Sequence, residues 1–277
     1  MGTPVYTSTA ELLSRYDGLL LDAYGVLVSS GGALPGAVAF IDRLLQTAYP
    51  FLIVSNDASR TLPELCAFYR RCGLDIPQNS ILTSGMLLAP FMRTQGLMGC
   101  RALVLGPEGS RRLVRDAGAT LVEPEAEFEL LVVADEAGYP LLETLDETVT
   151  RLFHLVEAGR TPALLLPNPD MLYPRGASSF GFAAGSVALL LEQALRRRFP
   201  GRDLGFTRLG KPASPLFAEA QRCMAARRLA MIGDQLETDV RGAKAVGMDT
   251  VLIETGIDRY TDKSAVTPDW LLASLTE

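Results

Sequence analysis

The sequence predicts an α/β protein with a parallel central sheet and a smaller α/β unit inserted into it. Short apolar runs typical of buried strands alternate with amphipathic helical stretches through most of the 277 residues. Polar residues that can carry chemistry follow an apolar run near each end of the chain, after residues 19–21 and after residues 229–232. Because open α/β sheets build their sites at the carboxyl ends of strands, we expect the two ends of the chain to meet in one sheet.

The first third of the chain predicts a regular alternation of strands and helices. A helix is expected to begin near Thr61, because Pro63 fits the first turn, and to end at Gly73, a common helix stop. Ser84 fits the N-cap of the helix that follows the third strand. The predicted strands are 19–21, 51–54 and 81–82, and the predicted helices are 36–48, 61–72 and 84–95.

The middle and the last third repeat this pattern, with a polar loop running to Gly210. Neither end carries a complete set of reactive groups, so we predict a core of residues 1–83 and 184–277 with residues 84–183 inserted as a cap. Hinges are expected near residues 83–84 and 178–185, which are rich in Gly and Ser. The predicted strands are 102–105, 130–133, 163–166, 229–232 and 250–253, and the predicted helices are 108–117, 141–158, 184–198, 214–225 and 237–246.

Composition narrows the class of protein. A net charge of −6 argues against a nucleic-acid partner, and no apolar run reaches the roughly 18 residues of a membrane helix. Residues 1–9 lack the pattern of a secretion signal, which predicts a cytoplasmic protein. The four cysteines are scattered, which favours free buried thiols over zinc. The single histidine, His154, lies in an apolar stretch and is expected to pack in the core rather than act in catalysis.

Three aspartates indicate a nucleophile and a metal site. Asp22 ends an apolar strand just before Gly25, where a carboxylate can attack an electrophile; a turn aspartate that caps backbone amides is the alternative. Asp234 ends the later strand and Asp239 lies in the following helical turn. With Asp22 they would form a hard oxygen site suited to Mg²⁺, although capping could explain either residue alone.

Two further segments suit an anion. Ser55 and Asn56 follow a strand and precede a helix, where hydroxyl, amide and backbone N–H groups can hold a phosphate, or can act as an ordinary helix cap. Lys211 lies in a Gly-Lys-Pro loop, where its ammonium can neutralise both a phosphate and the attacking carboxylate. The alternative is an exposed loop lysine.

Taken in order along the chain, these motifs resemble the haloacid dehalogenase (HAD) superfamily, in its class IIA branch of sugar-phosphate and p-nitrophenylphosphatase-like proteins. Segments 34–37, 56–60, 168–170 and 184–186 resemble the same branch. The residues that match are Asp22 as the nucleophile, Ser55 and Asn56 as the second motif, Lys211 as the third, and Asp234 with Asp239 as the fourth.

The resemblance implies a three-layer Rossmann-like core with an α/β cap. It implies a Mg²⁺-dependent hydrolase that acts on a small phosphorylated metabolite through an aspartyl-phosphate intermediate. The cap should supply specificity, with Asn168 and Asp170 facing the substrate or the core, and it could mediate a homodimer. Asp135 and Glu136, two adjacent acidic residues at the end of a cap strand, are expected to be solvated rather than functional.

Tyr24 departs from the phosphatase pattern. Phosphatases of this family have an aspartate at this acid–base position; Tyr24 keeps a backbone carbonyl for the metal but supplies no carboxylate. General acid–base groups contribute roughly 10²–10⁴-fold, so turnover of alkyl esters should be slow. The Asp-Ala-Tyr-Gly segment also resembles the metal-independent dehalogenases, which is one alternative; a weakly active or noncatalytic phosphate-binding protein is another. The inserted α/β cap favours the phosphatase branch.

Overall fold

The computed structural model describes residues 3–176, 179–224 and 228–276. Its strands, in chain order, are β1 Val5–Tyr6, β2 Gly18–Leu21, β3 Val28–Ser29, β4 Gly32–Ala33, β5 Phe51–Ser55, β6 Ile81–Thr83, β7 Arg101–Leu105, β8 Thr120–Val122, β9 Leu130–Val133, β10 Ala163–Leu166, β11 Leu172–Gly176, β12 Ser179–Phe182, β13 Thr207–Arg208, β14 Leu229–Gly233, β15 Asp249–Ile253 and β16 Trp270–Leu272. Its α-helices are α1 Thr9–Arg15, α2 Ala37–Gln46, α3 Leu62–Arg71, α4 Leu88–Thr94, α5 Glu108–Asp116, α6 Leu141–Glu157, α7 Ala184–Arg198, α8 Ser214–Cys223 and α9 Arg241–Ala245.

Two parallel sheets organise these elements and confirm the predicted fold class. The core sheet has seven strands in the order β1-β16-β15-β14-β2-β5-β6. The cap sheet has five strands in the order β13-β10-β9-β7-β8. Two hairpins, β3–β4 and β11–β12, complete the described strands. In the core sheet β14 lies directly beside β2, so both ends of the chain do meet in one sheet.

The core sheet is covered on both faces, because alternate side chains of a strand point in opposite directions. Leu19 and Leu21 pack with the buried side chains of α1 to α3. Leu20 packs on the other face with α8, in an apolar cluster that continues across α4 into the cap sheet. Core and cap therefore share one stretch of buried apolar surface.

The start of α3 follows the predicted chemistry. Thr61 is the N-cap, Glu64 completes a capping box with it, and Pro63 lies in the first turn. The helix ends at Cys72, and Gly73 has a φ of +82°, a conformation that glycine adopts without strain. Both predicted ends of this helix are confirmed.

The sequence placed α7 in the core, but its buried side chains pack with those of α6 and the cap sheet. The β13 strand, in the segment predicted as a polar loop, also pairs with β10 of the cap sheet. An apolar stripe shows that a helix packs, but not on which sheet, and both sheets here are apolar. In the structure α7 and β13 thus contact the cap sheet, whereas the predicted division at Ala184 assigned both to the core.

Several predicted elements differ at their ends. The segment predicted as a helix over 84–95 begins with the 3₁₀ turn Ser84–Leu87, and the one over 237–246 begins with the π-helical turn Leu236–Val240. The predicted end of α8 at residue 225 and the hinge residue 178 lie outside the described residues. None of the described helices is long and apolar enough to cross a membrane.

Two expectations about buried side chains were wrong. His154 is exposed on α6 instead of packed in the core, because it lies on the solvent side of that helix. All four cysteines are free, but only Cys100 is buried.

Candidate active site

The carboxyl ends of three neighbouring strands bring the predicted site residues together. Asp22 follows β2, Ser55 ends β5 and Asp234 follows β14. Lys211 enters from the loop after β13, where its peptide bond to Pro212 is cis. Residues far apart in the sequence thus surround one point at the edge of the core sheet, as parallel strand ends do in open α/β folds.

Lys211 forms the centre of a buried charge cluster. Its Nζ lies 2.6 Å from Asp22 Oδ1 and 2.7 Å from Asp239 Oδ1. Burial lowers the pKa of Lys211, but the two carboxylates outweigh that effect and hold its pKa above the usual value. The ammonium is therefore permanently charged and fixes the position of the nucleophile candidate Asp22. The alternative of an exposed loop lysine does not apply, since only 2% of Lys211 is exposed.

The three aspartates could hold a divalent cation. Carboxylate oxygens of Asp22, Asp234 and Asp239 lie within 4.8 Å of one another. Asp234 Oδ2 accepts a hydrogen bond from the Ile257 N–H at 2.9 Å, whereas its buried Oδ1 has no hydrogen-bond partner among the described residues. A buried carboxylate oxygen without a partner is rare and calls for an ion or water, and hard oxygen ligands suit Mg²⁺. The donor set therefore fits the predicted metal.

The pKa values of these buried carboxyl groups also favour a bound cation. Burial raises the pKa of Asp22 to about 7, an effect that Lys211 opposes. Burial and the neighbouring Asp22 carboxylate raise the pKa of Asp234 well above its usual value. A bound divalent cation would stabilise the ionised carboxylates and reverse these shifts.

Two glycines leave room for the Asp234 carboxylate. A Cβ atom at Gly25 or at Gly256 would overlap that carboxylate. Gly25 also has a φ of +80°, so a side chain there would strain the backbone as well. The sharp turn after Asp22 is thus required for the Asp234 carboxylate to lie close to Asp22.

Asp239 has a supporting position in this cluster. Its Oδ1 accepts the hydrogen bond from Lys211, and its Oδ2 accepts one from the Gln235 N–H at 3.1 Å. With both oxygens engaged, Asp239 anchors the lysine, while Asp22 and Asp234 are better placed as direct metal ligands.

The Tyr24 side chain packs against the Phe68 ring and lies beside the Arg60 guanidinium. It stacks on Phe68 with ring centroids 6.1 Å apart, and the Arg60 guanidinium lies 4.9 Å from the centroid of the same Phe68 ring. Burial raises the pKa of Tyr24, although Arg60 opposes that shift. The phenol therefore stays protonated near neutral pH and cannot act as a base there.

Asn56 joins three segments of the chain. Its Nδ2 donates to the Lys211 carbonyl at 3.0 Å and to Asp170 Oδ1 at 2.9 Å, and its Oδ1 accepts the Lys211 N–H at 2.7 Å. These bonds engage both ends of the amide, so the side chain ties the core to the cap, and phosphate binding by Asn56 stays a prediction. Among the described residues, the neighbouring Ser55 hydroxyl accepts a hydrogen bond from the Asp57 N–H alone, at 3.2 Å, and retains a hydrogen to donate.

The cap segment predicted to face the site does so. Asn168 Oδ1 accepts the Asp170 N–H at 3.1 Å, which turns the chain and directs Asp170 towards Asn56. Burial raises the pKa of Asp170 to about 6, while Lys211 opposes the rise. Asp170 thus provides the core–cap contact that the sequence suggested.

A cavity of about 560 Å³ opens in front of these groups. Asp22, Tyr24 and Ser55 line its core side, and Asn168 and Asp170 line its cap side. The remaining charged lining residues are Asp57, Arg60, Asp135 and Glu136. Asp57 and Arg60 lay within the segment 56–60 that carried the family resemblance but were given no role, whereas Asp135 and Glu136 were noted as an acidic pair and expected to be solvated.

Known proteins resemble the chain over nearly its whole length. Residues 19–120 match the haloacid dehalogenase-like hydrolase family, and residues 208–277 match the HAD-hydrolase-like family. The chain is 31% identical over 240 residues to dihydroxyacetone phosphatase of Corynebacterium glutamicum (strain R), which covers 86% of this chain and 81% of that protein.

Two solved structures share the fold. One is a possible sugar phosphatase of the HAD superfamily from Cytophaga hutchinsonii, with a TM-score of 0.85, 30% identity and 99% coverage of both chains. The other is glycerol phosphate phosphatase from Mycobacterium tuberculosis in complex with magnesium, with a TM-score of 0.75 and 25% identity, covering 98% of this chain and 77% of that chain.

Proposed function

The chain belongs to the haloacid dehalogenase-like hydrolase family and is a hydrolase, and we propose that it is a Mg²⁺-dependent phosphatase of a small phosphorylated metabolite. The observation that carries this proposal is the cluster of Asp22, Asp234 and Lys211, in which one buried carboxylate oxygen lacks a partner. Relatives named as phosphatases, one of them solved with magnesium, support it.

In the proposed reaction the Asp22 carboxylate attacks phosphorus, and the bond from phosphorus to the leaving oxygen breaks. An aspartyl phosphate forms, and water then attacks its phosphorus to release phosphate and regenerate Asp22. Lys211 holds Asp22 in place, and the Ser55 hydroxyl is positioned to donate to a phosphate oxygen. Asp22, the Tyr24 carbonyl and Asp234 would hold Mg²⁺, which when bound neutralises charge on the phosphoryl group.

Tyr24 limits the proton transfer in both steps. The leaving alkoxide needs a proton, and the attacking water must lose one. A stacked, protonated phenol is a poor substitute for a carboxylate in either role. We therefore propose slow turnover of alkyl phosphates and a smaller deficit for leaving groups such as p-nitrophenolate, which need no proton.

The site favours a phosphatase over a dehalogenase and over a noncatalytic phosphate-binding protein, the two alternatives that the sequence suggested. Dehalogenation needs no metal and would leave the clustered carboxylates without a purpose. A noncatalytic phosphate-binding protein would need no nucleophile fixed by a buried lysine.

The direct test is hydrolysis of p-nitrophenyl phosphate with and without Mg²⁺. We expect Mg²⁺-dependent release of phosphate that disappears in Asp22→Asn and persists in Asp249→Asn, a matched change at a residue of β15 outside the cavity lining. Absence of hydrolysis across a broad panel of phosphate esters would reject the phosphatase assignment.

The Tyr24→Asp substitution tests the proton-transfer argument. It should raise turnover of an alkyl phosphate by about 10²-fold and that of p-nitrophenyl phosphate much less, because only the first leaving group needs a proton. Tyr24→Phe, which keeps the stacked ring, should change neither rate by more than about twofold if the phenol transfers no proton. An unchanged or lower alkyl phosphatase rate in Tyr24→Asp would refute the assignment of this position.

Three further features belong to this proposal. We place the core–cap boundaries after Thr83 and near Leu209, since β6 ends in the core sheet and β13 in the cap sheet. A cytoplasmic location and a homodimer formed through the cap stay predictions. Cell fractionation would test the location. Light scattering of the purified protein, compared with that of a variant altered on the exposed face of α7, would test the homodimer.

A further inference from the structure

The charges around the cavity are unbalanced. Among its described lining residues Arg60 is the single cation, and its Nη1 lies 2.6 Å from Asp57 Oδ2. That ion pair leaves no free positive charge among the described lining residues. These residues therefore offer nothing to pair with a carboxylate or a second phosphate on the organic part of a substrate.

The cap side of the wall adds two acidic residues. Asp135 and Glu136 lie in the loop between β9 and α6 and line the same cavity as Asp22. Asp135 Oδ1 accepts the Ala137 N–H at 2.9 Å, and neither acid forms an ion pair with any described residue. Burial and, to a lesser extent, the neighbouring Asp135 carboxyl raise the pKa of Glu136 to about 7. A cation that entered the cavity would stabilise the ionised pair.

The substrate would span the cavity from Asp22 to the cap loop that carries Glu136. Asp22 and Ser55 fix where the phosphoryl group must lie, so the organic part extends towards the cap loop that carries Glu136. A cavity of about 560 Å³ accepts a small metabolite. An ammonium group on that metabolite could donate hydrogen bonds to Glu136, and charge-assisted bonds of this kind are the strong ones.

We propose that the substrate is a phosphate monoester whose organic part bears a protonated amine. The proposal rests on the phosphatase function and names its substrate class. Esters with a carboxylate in place of the amine would meet Asp135 and Glu136 as like charges and should be rejected.

Three esters of matched size test the proposal: 2-aminoethyl phosphate, 2-hydroxyethyl phosphate and phosphoglycolate. At pH 8 with Mg²⁺, kcat/KM should fall in that order, with the amine at least about tenfold above the carboxylate, the factor expected for one charge-assisted hydrogen bond. Glu136→Gln should bring the ratio to within about threefold. Glu143→Gln, a matched change at an exposed residue of α6 outside the cavity lining, should preserve it.

Binding separates this proposal from the phosphatase assignment. Isothermal titration of the three esters into Asp22→Asn with Mg²⁺ reads out the preference without turnover. Tighter binding of the aminoethyl ester supports the proposal, and equal or tighter binding of phosphoglycolate overturns it. Hydrolysis of all three esters without preference would overturn the proposal alone, whereas absence of any hydrolysis would reject the phosphatase function and leave the titration to decide substrate class.

Discussion

Replacing Lys211 with methionine should destabilise the protein strongly. The Lys211 side chain is 3% exposed, and its two partners, Asp22 and Asp239, are 9% and 1% exposed. Methionine fills a similar volume but removes the charge, so two buried carboxylates lose their common counterion. Removing one partner of a buried ion pair costs about 3–5 kcal/mol.

An independent estimate agrees with this range. Without Lys211, one of the two carboxylates must take up a proton to stay buried. With an ordinary pKa near 3.9 and about 1.36 kcal/mol per unit, that proton uptake costs about 5–6 kcal/mol at pH 8 and about 2 kcal/mol at pH 5.5. The loss of stability should therefore be more than halved at the lower pH.

The sign of this pH dependence follows from the effect of Lys211 on Asp22: Lys211 lowers the pKa of the buried Asp22 carboxyl, so its removal raises the folded-state pKa further. A carboxyl group with a raised folded pKa adds stability that is complete at low pH and is lost as the pH rises through the folded pKa. The stability difference between the wild type and Lys211→Met should thus widen from pH 5.5 to pH 8.

The assay is thermal unfolding in EDTA at both pH values. For a chain of this size each kcal/mol moves Tm by about 2–4 °C, so Tm should fall by about 6–20 °C at pH 8. The matched control is Lys244→Met, which breaks a 2.7 Å ion pair to Asp269 whose side chains are 30% and 34% exposed. Because Asp269 keeps its hydrogen bonds from Thr250, the Tm of Lys244→Met should fall by no more than about 4 °C. A Tm shift in Lys211→Met no larger than in the control, or one independent of pH, would refute the reasoning.

Three other predictions address the same site. Gly256→Ala should weaken Mg²⁺ binding by about 10–100-fold in titration calorimetry, because its Cβ would displace the Asp234 carboxylate. Gly205→Ala should not, because a Cβ there would make only ordinary van der Waals contacts at 3.7 Å. Asn56→Ala removes two hydrogen bonds to the Lys211 backbone and one to Asp170 of the cap. It should lower Tm by about 4–12 °C, with a KM increase larger than the change in kcat; an unchanged Tm would contradict the role as a tie. The preference for the amine ester should increase from pH 6 to pH 8, because burial raises the pKa of Glu136 to about 7 and only the ionised form attracts an ammonium; a preference that falls over this range would contradict it.

Local patterns predicted the elements that carry the chemistry. Buried strands with polar residues at their ends placed Asp22 and Asp234 at one edge of the sheet, because parallel strands leave few alternatives. The N-cap residue Thr61, the proline in the first turn and the glycine after the last turn defined where α3 begins and ends. These features depend on neighbours within a few residues, which is why the sequence shows them.

The features that sequence reasoning missed depend on contacts between distant segments. The apolar face of α7 fits either sheet, and only the folded chain shows that it packs on the cap. Asn56 was expected to bind phosphate, and nothing in the sequence shows that its amide also bonds to the Lys211 backbone and to Asp170 from the cap. Glu136 was expected to be solvated, yet the closure of the cap over the core places it in the cavity wall.

The surroundings of Tyr24 and Glu136 suggest why a phosphatase could function with this nucleophile motif. Phe68 and Arg60 pack around Tyr24 where a second carboxylate would otherwise add charge to a wall that already holds acidic residues. An aspartate at this position would raise the negative charge beside Asp22 and compete with the cap acids for a cationic substrate. The gain in proton transfer from Tyr24→Asp should therefore be accompanied by a weaker preference for the amine ester. The same kinetic panel measures both effects, and a faster enzyme with an undiminished amine preference would show that Tyr24 affects proton transfer alone.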